Sequence, residues 1–314
     1  MQLHFLGTGA GMPSKTRNTS ALALKILEER GTIWLFDCGE ATQHQILHTT
    51  IKPRKIDKIF ITHLHGDHIF GLPGFLSSRS FQGGDEALTI YGPAGLQEWV
   101  ELTLKLSKTH VTYPIYFEVV EEGIIFEDDL FVVRAMPLAH VVPCFGYRVE
   151  QKPLPGELLI EKALKLGVPK GPFLGDLKNG KDIVLSDGTI VKSEDVTAAS
   201  KEGFIVTILG DTKYCDNAKA LAQSASVVVH EATFDHETAH LAAQYGHSTN
   251  IEAAMVACEA GAKQLLLTHI SSRFLQQDEE RLVEQARGVF EETIMVRDFD
   301  QFTWQDGKIV IAEK

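Results

Sequence analysis

The chain has 314 residues, 44% hydrophobic and 23% charged, ordinary for a globular protein with a sizeable core and enough for one large α/β domain or two modest ones. A net charge of −12 argues against a basic surface throughout, although clustered lysines could still meet phosphate. No apolar run approaches the roughly 18 residues that span a bilayer, Met1–Gly7 lacks the basic flank of a signal peptide, and Cys38, Cys144, Cys215 and Cys258 form no C-x-x-C pair; a reducing, cytoplasmic setting is expected.

Residues 2–6 read as a first strand ending in Gly7-Thr8-Gly9-Ala10-Gly11. The spacing is not G-x-G-x-x-G and no helix follows, so a dinucleotide site is not expected. The polar loop from Pro13 to Asn18 carries Lys15, Arg17 and Asn18, which suit a phosphate or base contact. Residues 21–27 and 32–36 read as a hairpin, and 41–49 as a helix whose His44 and His48 have no third ligand nearby.

The next stretch concentrates the chemistry. After the apolar run Lys58–Thr62 come His63-Leu64-His65-Gly66-Asp67-His68, three imidazoles and a carboxylate on a turn at a strand end. His63 and His65 can reach one metal ion, with Asp67 and His68 directed to a second; nitrogen and carboxylate donors suit Zn²⁺, or Mn²⁺ or Fe. The competing reading, an ordinary helix cap by Asp67, leaves three clustered imidazoles unexplained.

A helix-like stretch then runs to about 80, a strand over 88–91 and a helix over 94–107. Residues 114–120, 123–127 and 130–137 read as antiparallel strands, the last closed by His140, and 144–149 as another. From about 151 to 200 the composition shifts: Pro153, Pro155 and Gly156 break structure, a short helix spans 157–166, Lys170-Gly171-Pro172 follows, and a small hairpin turns at Asp187-Gly188. The segment is expected to be an inserted, projecting arm unable to build a core alone. Between 152 and 192 seven lysines face five carboxylates, a small positive excess in an acidic chain.

The core resumes with the strand 204–209 and Asp211. Strand 226–229 ends in His230-Glu231-Ala232-Thr233, a helix over 237–244 leads to His247-Ser248-Thr249, and Ser248 or Thr249 caps a helix over 250–260. Strand 264–267 ends at His269, a charged helix spans 278–290, and strands over 294–298, 300–304 and 308–312 close the chain. His63, His140, Asp211 and His269 thus all follow apolar strands, whose ends can share one edge of an α/β sandwich.

The turn Thr62–His68 resembles the metal-binding turn of the metallo-β-lactamase superfamily, and the strand-end residues match its pattern in order along the whole chain. That resemblance implies an αββα sandwich as a single domain over 1–314, with the arm inserted at 151–200. It implies that His63, His65 and His140 hold one zinc, that Asp67, His68 and His269 hold another, and that Asp211 bridges them. Two metals sharing a water lower its pKa and clamp a phosphoryl group. The Pro13–Asn18 loop, the His230–Thr233 tetrapeptide, the His247–Thr249 triplet and Gly171-Pro172 together resemble the ribonuclease Z family. This implies a cytoplasmic homodimer that cleaves precursor tRNA after the discriminator base. Lys170, Gly171 and Pro172 would sit on the tRNA-gripping arm, with Lys15, Arg17, Asn18 and Thr249 as further substrate contacts. Asp67 would accept the proton of the attacking water, and His247, oriented by Glu231, would protonate the leaving 3′-oxygen. A small-substrate phosphodiesterase or thioesterase on the same fold, or a zinc-dependent RNA-binding protein, are the alternative readings.

Overall fold

The computed structural model describes residues 1–153, 156–200, 202–305 and 308–311. They divide into two compact units. One comprises Met1–Asp128, Val132–Val149 and the chain from Ile205; the other comprises Asp129–Phe131 and Glu150–Phe204.

The first unit is built on two sheets. Among the described residues, one has eight strands with Gln2–Gly7, Ala21–Ile26, Thr32–Phe36, Ile56–Phe60 and Leu88–Gly92 side by side. The other has seven, with Phe131–Pro137, Phe145–Gln151, Ile205–Ile208, Val227–Glu231 and Leu265–Thr268 in succession. Strand side chains alternate between faces, and this sorts the residues into layers. Ile33, Leu35, Ile59 and Ile61 pack outward in a cluster with Leu72, Phe75 and Leu76 of helix Leu72–Phe81 and with Leu96 and Val100 of helix Leu96–Leu106. Their neighbours Phe36 and Phe60 turn inward, where Phe60 lies 5.4 Å from the Tyr147 ring of the opposite sheet. Val228, Leu265 and Leu267 likewise face helices Asp216–Ala222, Asn250–Glu259 and Glu279–Arg287. The layers are therefore helix, sheet, sheet, helix, as the resemblance implied.

Two readings need correction. Ile115–Val119 does not join an antiparallel set with 123–127; it pairs parallel to Leu88–Gly92 at the sheet edge, because helix Leu96–Leu106 supplies the crossover a parallel pair requires. Helices Asp216–Ala222 and Pro172–Lys178 were unforeseen; both are short.

The second unit has a core of its own, contrary to expectation. Ala163, Val168, Leu177, Ile183, Val191 and Val196 are buried together. Those apolar residues are scattered over three short helices, Ile160–Lys165, Pro172–Lys178 and Ser193–Val196, the hairpin Ile183–Val184/Ile190–Val191 and the turn at Val168, too short for any periodicity to announce them. Gly171, at φ 145°, turns the chain into Pro172, the first residue of helix Pro172–Lys178, where proline costs no hydrogen bond. Lys170, Gly171 and Pro172 are exposed. The expected chain break at Leu154-Pro155 and the last residue of the strand expected over 308–312 lie outside the described residues.

Candidate metal centre

Parallel strands Ile205–Ile208, Val227–Glu231 and Leu265–Thr268 end along one edge, and the turn after Ile56–Phe60 meets them there. Gly210 permits the approach: a Cβ on it would lie 2.6 Å from Cys144 Sγ and 2.7 Å from Thr62 Cβ. All seven expected ligands are brought together. His63, His65, His140 and Asp211 form one set whose donor atoms lie within 4.8 Å of one another, and Asp67, His68 and His269 form another. Asp211 reaches both, with Oδ2 3.5 Å from His63 Nε2 and Oδ1 3.4 Å from His269 Nε2.

The hydrogen bonds behind these rings decide what they can bind. His68 Nδ1 lies 2.7 Å from the Asp37 carboxylate and His140 Nδ1 lies 2.7 Å from the Gly246 carbonyl. Both partners only accept, so each Nδ1 carries the hydrogen. The Thr62 hydroxyl donates to Asp37 at 2.9 Å and so accepts from His63 Nδ1–H at 3.0 Å. The Thr233 hydroxyl donates to Glu231 at 2.6 Å and accepts from His269 Nδ1–H at 2.8 Å. With Nδ1 so committed, Nε2 is the nitrogen that His63, His68, His140 and His269 turn to the centre, able to offer a lone pair to a cation or to carry a proton in its place. His65 turns Nδ1 inward, 3.0 Å from His63 Nε2 and 3.3 Å from His140 Nε2, while His68 and His269 place their Nε2 atoms 3.2 Å apart. Lone pairs converging at such distances repel unless a cation or proton lies between them. Nitrogen and carboxylate donors with hydrogen-bonded outer partners are what a transition-metal site requires, so the residues fit a bound metal.

The ionisation states say the same. Burial, then the neighbouring His68, holds His63 down to about 2. Burial also lowers His65 and His140. At His68 burial acts to lower the pKa, but Asp211 and Asp37 outweigh it and raise it well above normal. Burial works against Asp67 and Asp211, yet the surrounding histidines keep both well below the carboxylate range. Negative charge here is matched by protons where no cation supplies it.

His247 sits beside the centre, its Nδ1 3.0 Å from Glu231 Oε1 and 3.8 Å from Asp211 Oδ2. Burial opposes its protonation, but Glu231 followed by Asp211 raises its pKa to about 9. Glu231 is itself pinned by the Thr212, Ser248 and Thr233 N–H groups. Asp211, His247 and His269 also lie close enough to form a third set; the short Glu231 contact instead ties up Nδ1 of His247.

The expected substrate contacts are less uniform. Lys15 is exposed. Arg17 is buried and engaged: its guanidinium meets Thr8, the Val296 carbonyl and Glu279. Asn18 spends its side-chain amide on the Glu40 carbonyl. These two fix the loop instead of offering donors to a ligand. Thr249 is buried as the cap of helix Asn250–Glu259, its hydroxyl accepting from Glu252 N–H. His44 and His48 are exposed and outside the ligand sets.

Sequence reading missed Asp37 and the orienting role of Thr233. Asp37 follows an apolar strand as the ligands do, which was a usable signal. It and His269 are non-glycine residues at φ 57° and 55°, a strained conformation concentrated at functional sites.

A family model described as Anti-Pycsar protein Apyc1 matches residues 1–121 and so ends before His140, Asp211 and His269. The chain is 57% identical over 301 residues to the ribonuclease Z of Limosilactobacillus fermentum, covering 96% of this chain and 97% of that one. It is 54% identical over 303 residues to the ribonuclease Z of Bacillus cereus, covering 96% and 99%. Among solved structures, the short form of human tRNase Z superposes with a TM-score of 0.69 at 32% identity, covering 96% and 99%. The metallo-β-lactamase fold protein YhfI of Bacillus subtilis superposes at 0.67 and 20% identity, covering 96% and 98%, a likeness of fold alone.

Proposed function

The chain belongs to the ribonuclease Z family, and from that premise we propose how its centre removes the 3′ trailer of precursor tRNA. The protein is a metal-dependent endoribonuclease that hydrolyses a phosphodiester bond. The observation that carries the chemistry is the convergence of the Nε2 atoms of His63, His68, His140 and His269 on Asp67 and Asp211, with each Nδ1 committed to an outer partner.

His63, His65 and His140 would hold one Zn²⁺ and Asp67, His68 and His269 a second, with Asp211 in reach of both sets; Mn²⁺ or Fe would suit the same donors. Two such cations would lower the pKa of a shared water and neutralise charge developing on the phosphoryl oxygens. Asp67 takes the proton of the attacking water. Oxygen bonds to phosphorus and the bond to the ribose 3′-oxygen breaks, so the phosphate stays on the trailer's 5′ end and the tRNA keeps a 3′-hydroxyl. His247 gives the departing oxygen its proton, held in place and charged by Glu231.

The unit Glu150–Phe204 grips the tRNA body. Its own core and its exposed Lys162, Lys165, Lys170 and Lys178 suit that task. Two subunits pair, for which the exposed stripe of Phe70, Leu102 and Leu106 beside Trp99 offers an apolar surface. The cytoplasm is the setting, in keeping with four free cysteines.

Labelled precursor tRNA incubated with the metal-loaded protein, with and without a chelator, tests the reading. Chelator-sensitive cleavage leaving a 3′-hydroxyl and a 5′-phosphate is expected. Intact precursor, or a cyclic phosphate on the tRNA fragment, would overturn it.

A further inference from the structure

Beside His247, and outside the ligand sets, lies a group of side chains that the mechanism does not use. Phe234 is 4% exposed, and its backbone is pinned to the chain around His247: its N–H donates to the Ser248 carbonyl and its carbonyl accepts from Asn250 N–H. Its ring centroid lies 5.9 Å from that of His247. Tyr245 lies nearly parallel to the same ring, at 6.4 Å and 7°, yet is 51% exposed. It is the last residue of helix Ala239–Tyr245, fixed by the turn at Gly246 whose carbonyl holds His140. Arg273 places its guanidinium carbon 4.6 Å from the Phe234 centroid and is held there by a hydrogen bond from Nε to Ser271 Oγ. Among the described residues no carboxylate pairs with Arg273, and nothing bonds the Tyr245 hydroxyl.

An aromatic face and an unpaired guanidinium plane, both exposed and both backed by one buried ring, are what a single-stranded base and its phosphate require. Which nucleotide they meet follows from His247. If His247 protonates the leaving 3′-oxygen, the ribose carrying that oxygen lies against His247. Its base is then directed towards Phe234, Tyr245 and Arg273, while the trailer leaves on the other side of the phosphorus.

We propose that Tyr245 and Arg273, seated on Phe234, bind the unpaired last nucleotide retained on the tRNA, Tyr245 stacking on its base and Arg273 holding its 5′-phosphate. This rests on the ribonuclease reading above.

The test pairs a protein change with a substrate change. Tyr245→Ala should lower kcat/KM for intact precursor tRNA roughly 5- to 150-fold, the range for loss of one stacked base. Tyr245→Phe, which keeps the ring, should restore most of it. Removing only the base of the last retained nucleotide should cost the wild type a similar factor, and Tyr245→Ala should lose nothing further on that substrate. Removing the base of the first trailer nucleotide should leave the Tyr245→Ala penalty at full size. Arg273→Ala should raise KM more than it lowers kcat, with Arg273→Lys intermediate. Unchanged metal content and melting temperature in every variant exclude a folding defect. A full Tyr245→Ala penalty on the substrate lacking the retained base, or a penalty that vanishes with the trailer base, would overturn the assignment. A wild type that leaves intact precursor uncut would instead sink the ribonuclease reading itself.

Discussion

Replacing Glu231 with glutamine asks whether the acid at His247 depends on a charge or only on a shape. The carboxylate is buried and both oxygens serve only as acceptors. Oε1 receives Thr212 N–H at 3.1 Å, Ser248 N–H at 3.0 Å and His247 at 3.0 Å. Oε2 receives Thr233 N–H at 3.0 Å and the Thr233 hydroxyl at 2.6 Å. An amide has one oxygen, so its NH₂ must face donors on one side. Turning it towards Thr233 is the less costly choice, because that hydroxyl can swing to the His269 carbonyl 3.1 Å away. One buried N–H is then left unpaired, at about 1–3 kcal/mol. For a unit of this size the melting temperature should drop by roughly 2–6 °C. Loss of the charge also lets His247 fall from about 9 towards its ordinary 6.5, because Glu231 is the chief group raising it against burial. At pH 8 a group with that ordinary value is only about 3% protonated, so cleavage should slow by roughly thirtyfold, and the deficit should shrink as the pH falls to 6. Bound dications shift this window to lower pH without reversing its sign. Calorimetry and a pH–rate series on precursor tRNA provide the assay. A variant that melts with the wild type and cuts at the same rate from pH 6 to 8.5 would refute both halves of the argument.

His247→Ala should slow precursor cleavage on the order of 10²–10⁴-fold while barely affecting a nitrophenyl phosphodiester, whose leaving group needs no proton; a fall in metal content would instead make His247 a ligand. Asp211→Ala should abolish cleavage and reduce bound metal by elemental analysis, since its two oxygens face both ligand sets; two metals with normal turnover would refute the bridge. Replacing 153–202 by a short Gly/Ser turn is geometrically feasible because Gln151 N–H already bonds the Phe204 carbonyl at 2.8 Å; tRNA affinity should fall by orders of magnitude with small-diester hydrolysis spared, and equal loss on both would make the segment part of the catalytic body. His4 is buried with both ring nitrogens unpartnered, and burial, aided by Lys25, holds it down to about 4. The unfolded chain therefore binds a proton that the folded one refuses between pH 6.5 and 4, and stability is lost as the pH falls through that window. His4→Leu should recover about 2 kcal/mol at pH 4.5, allowing for residual screening, relative to its effect at pH 8; equal urea midpoint shifts at both pH values would contradict this.

The convergence of the seven expected ligand residues was legible because each is announced twice, by its chemistry and by an apolar strand before it. His140, Asp211 and His269 lie far apart in sequence, yet the strand-end rule collects them. His247, the proposed general acid, stood out only through its resemblance to the family's motifs, since Gly-His-Ser-Thr by itself is a plain helix entry. Arg17, Asn18 and Thr249 went the other way. Their types suit phosphate or base contacts, and nothing in the local sequence reveals that Glu279, Glu40 and Glu252 have already engaged them. Such pairings depend on register between distant segments. The core of Glu150–Phe204 was hidden for a related reason: six buried residues spread over five short elements and a turn leave no period to read.

The outer partners of the ligands carry the remaining argument. Asp37, Gly246, Thr62 and Thr233 come from four separate segments, and each fixes one ring tautomer. Removing any of them would leave the ligand list intact while freeing one imidazole to present a hydrogen where a lone pair is needed. Asp37 does the most, because one carboxylate accepts from His68, from the Thr62 hydroxyl and from the Thr62 N–H at 2.8 Å. It thereby orients one ring of each ligand set from outside both. The strain of its positive φ is offset by these three hydrogen bonds, which tie the Asp37 carboxylate to the chain that carries both ligand sets.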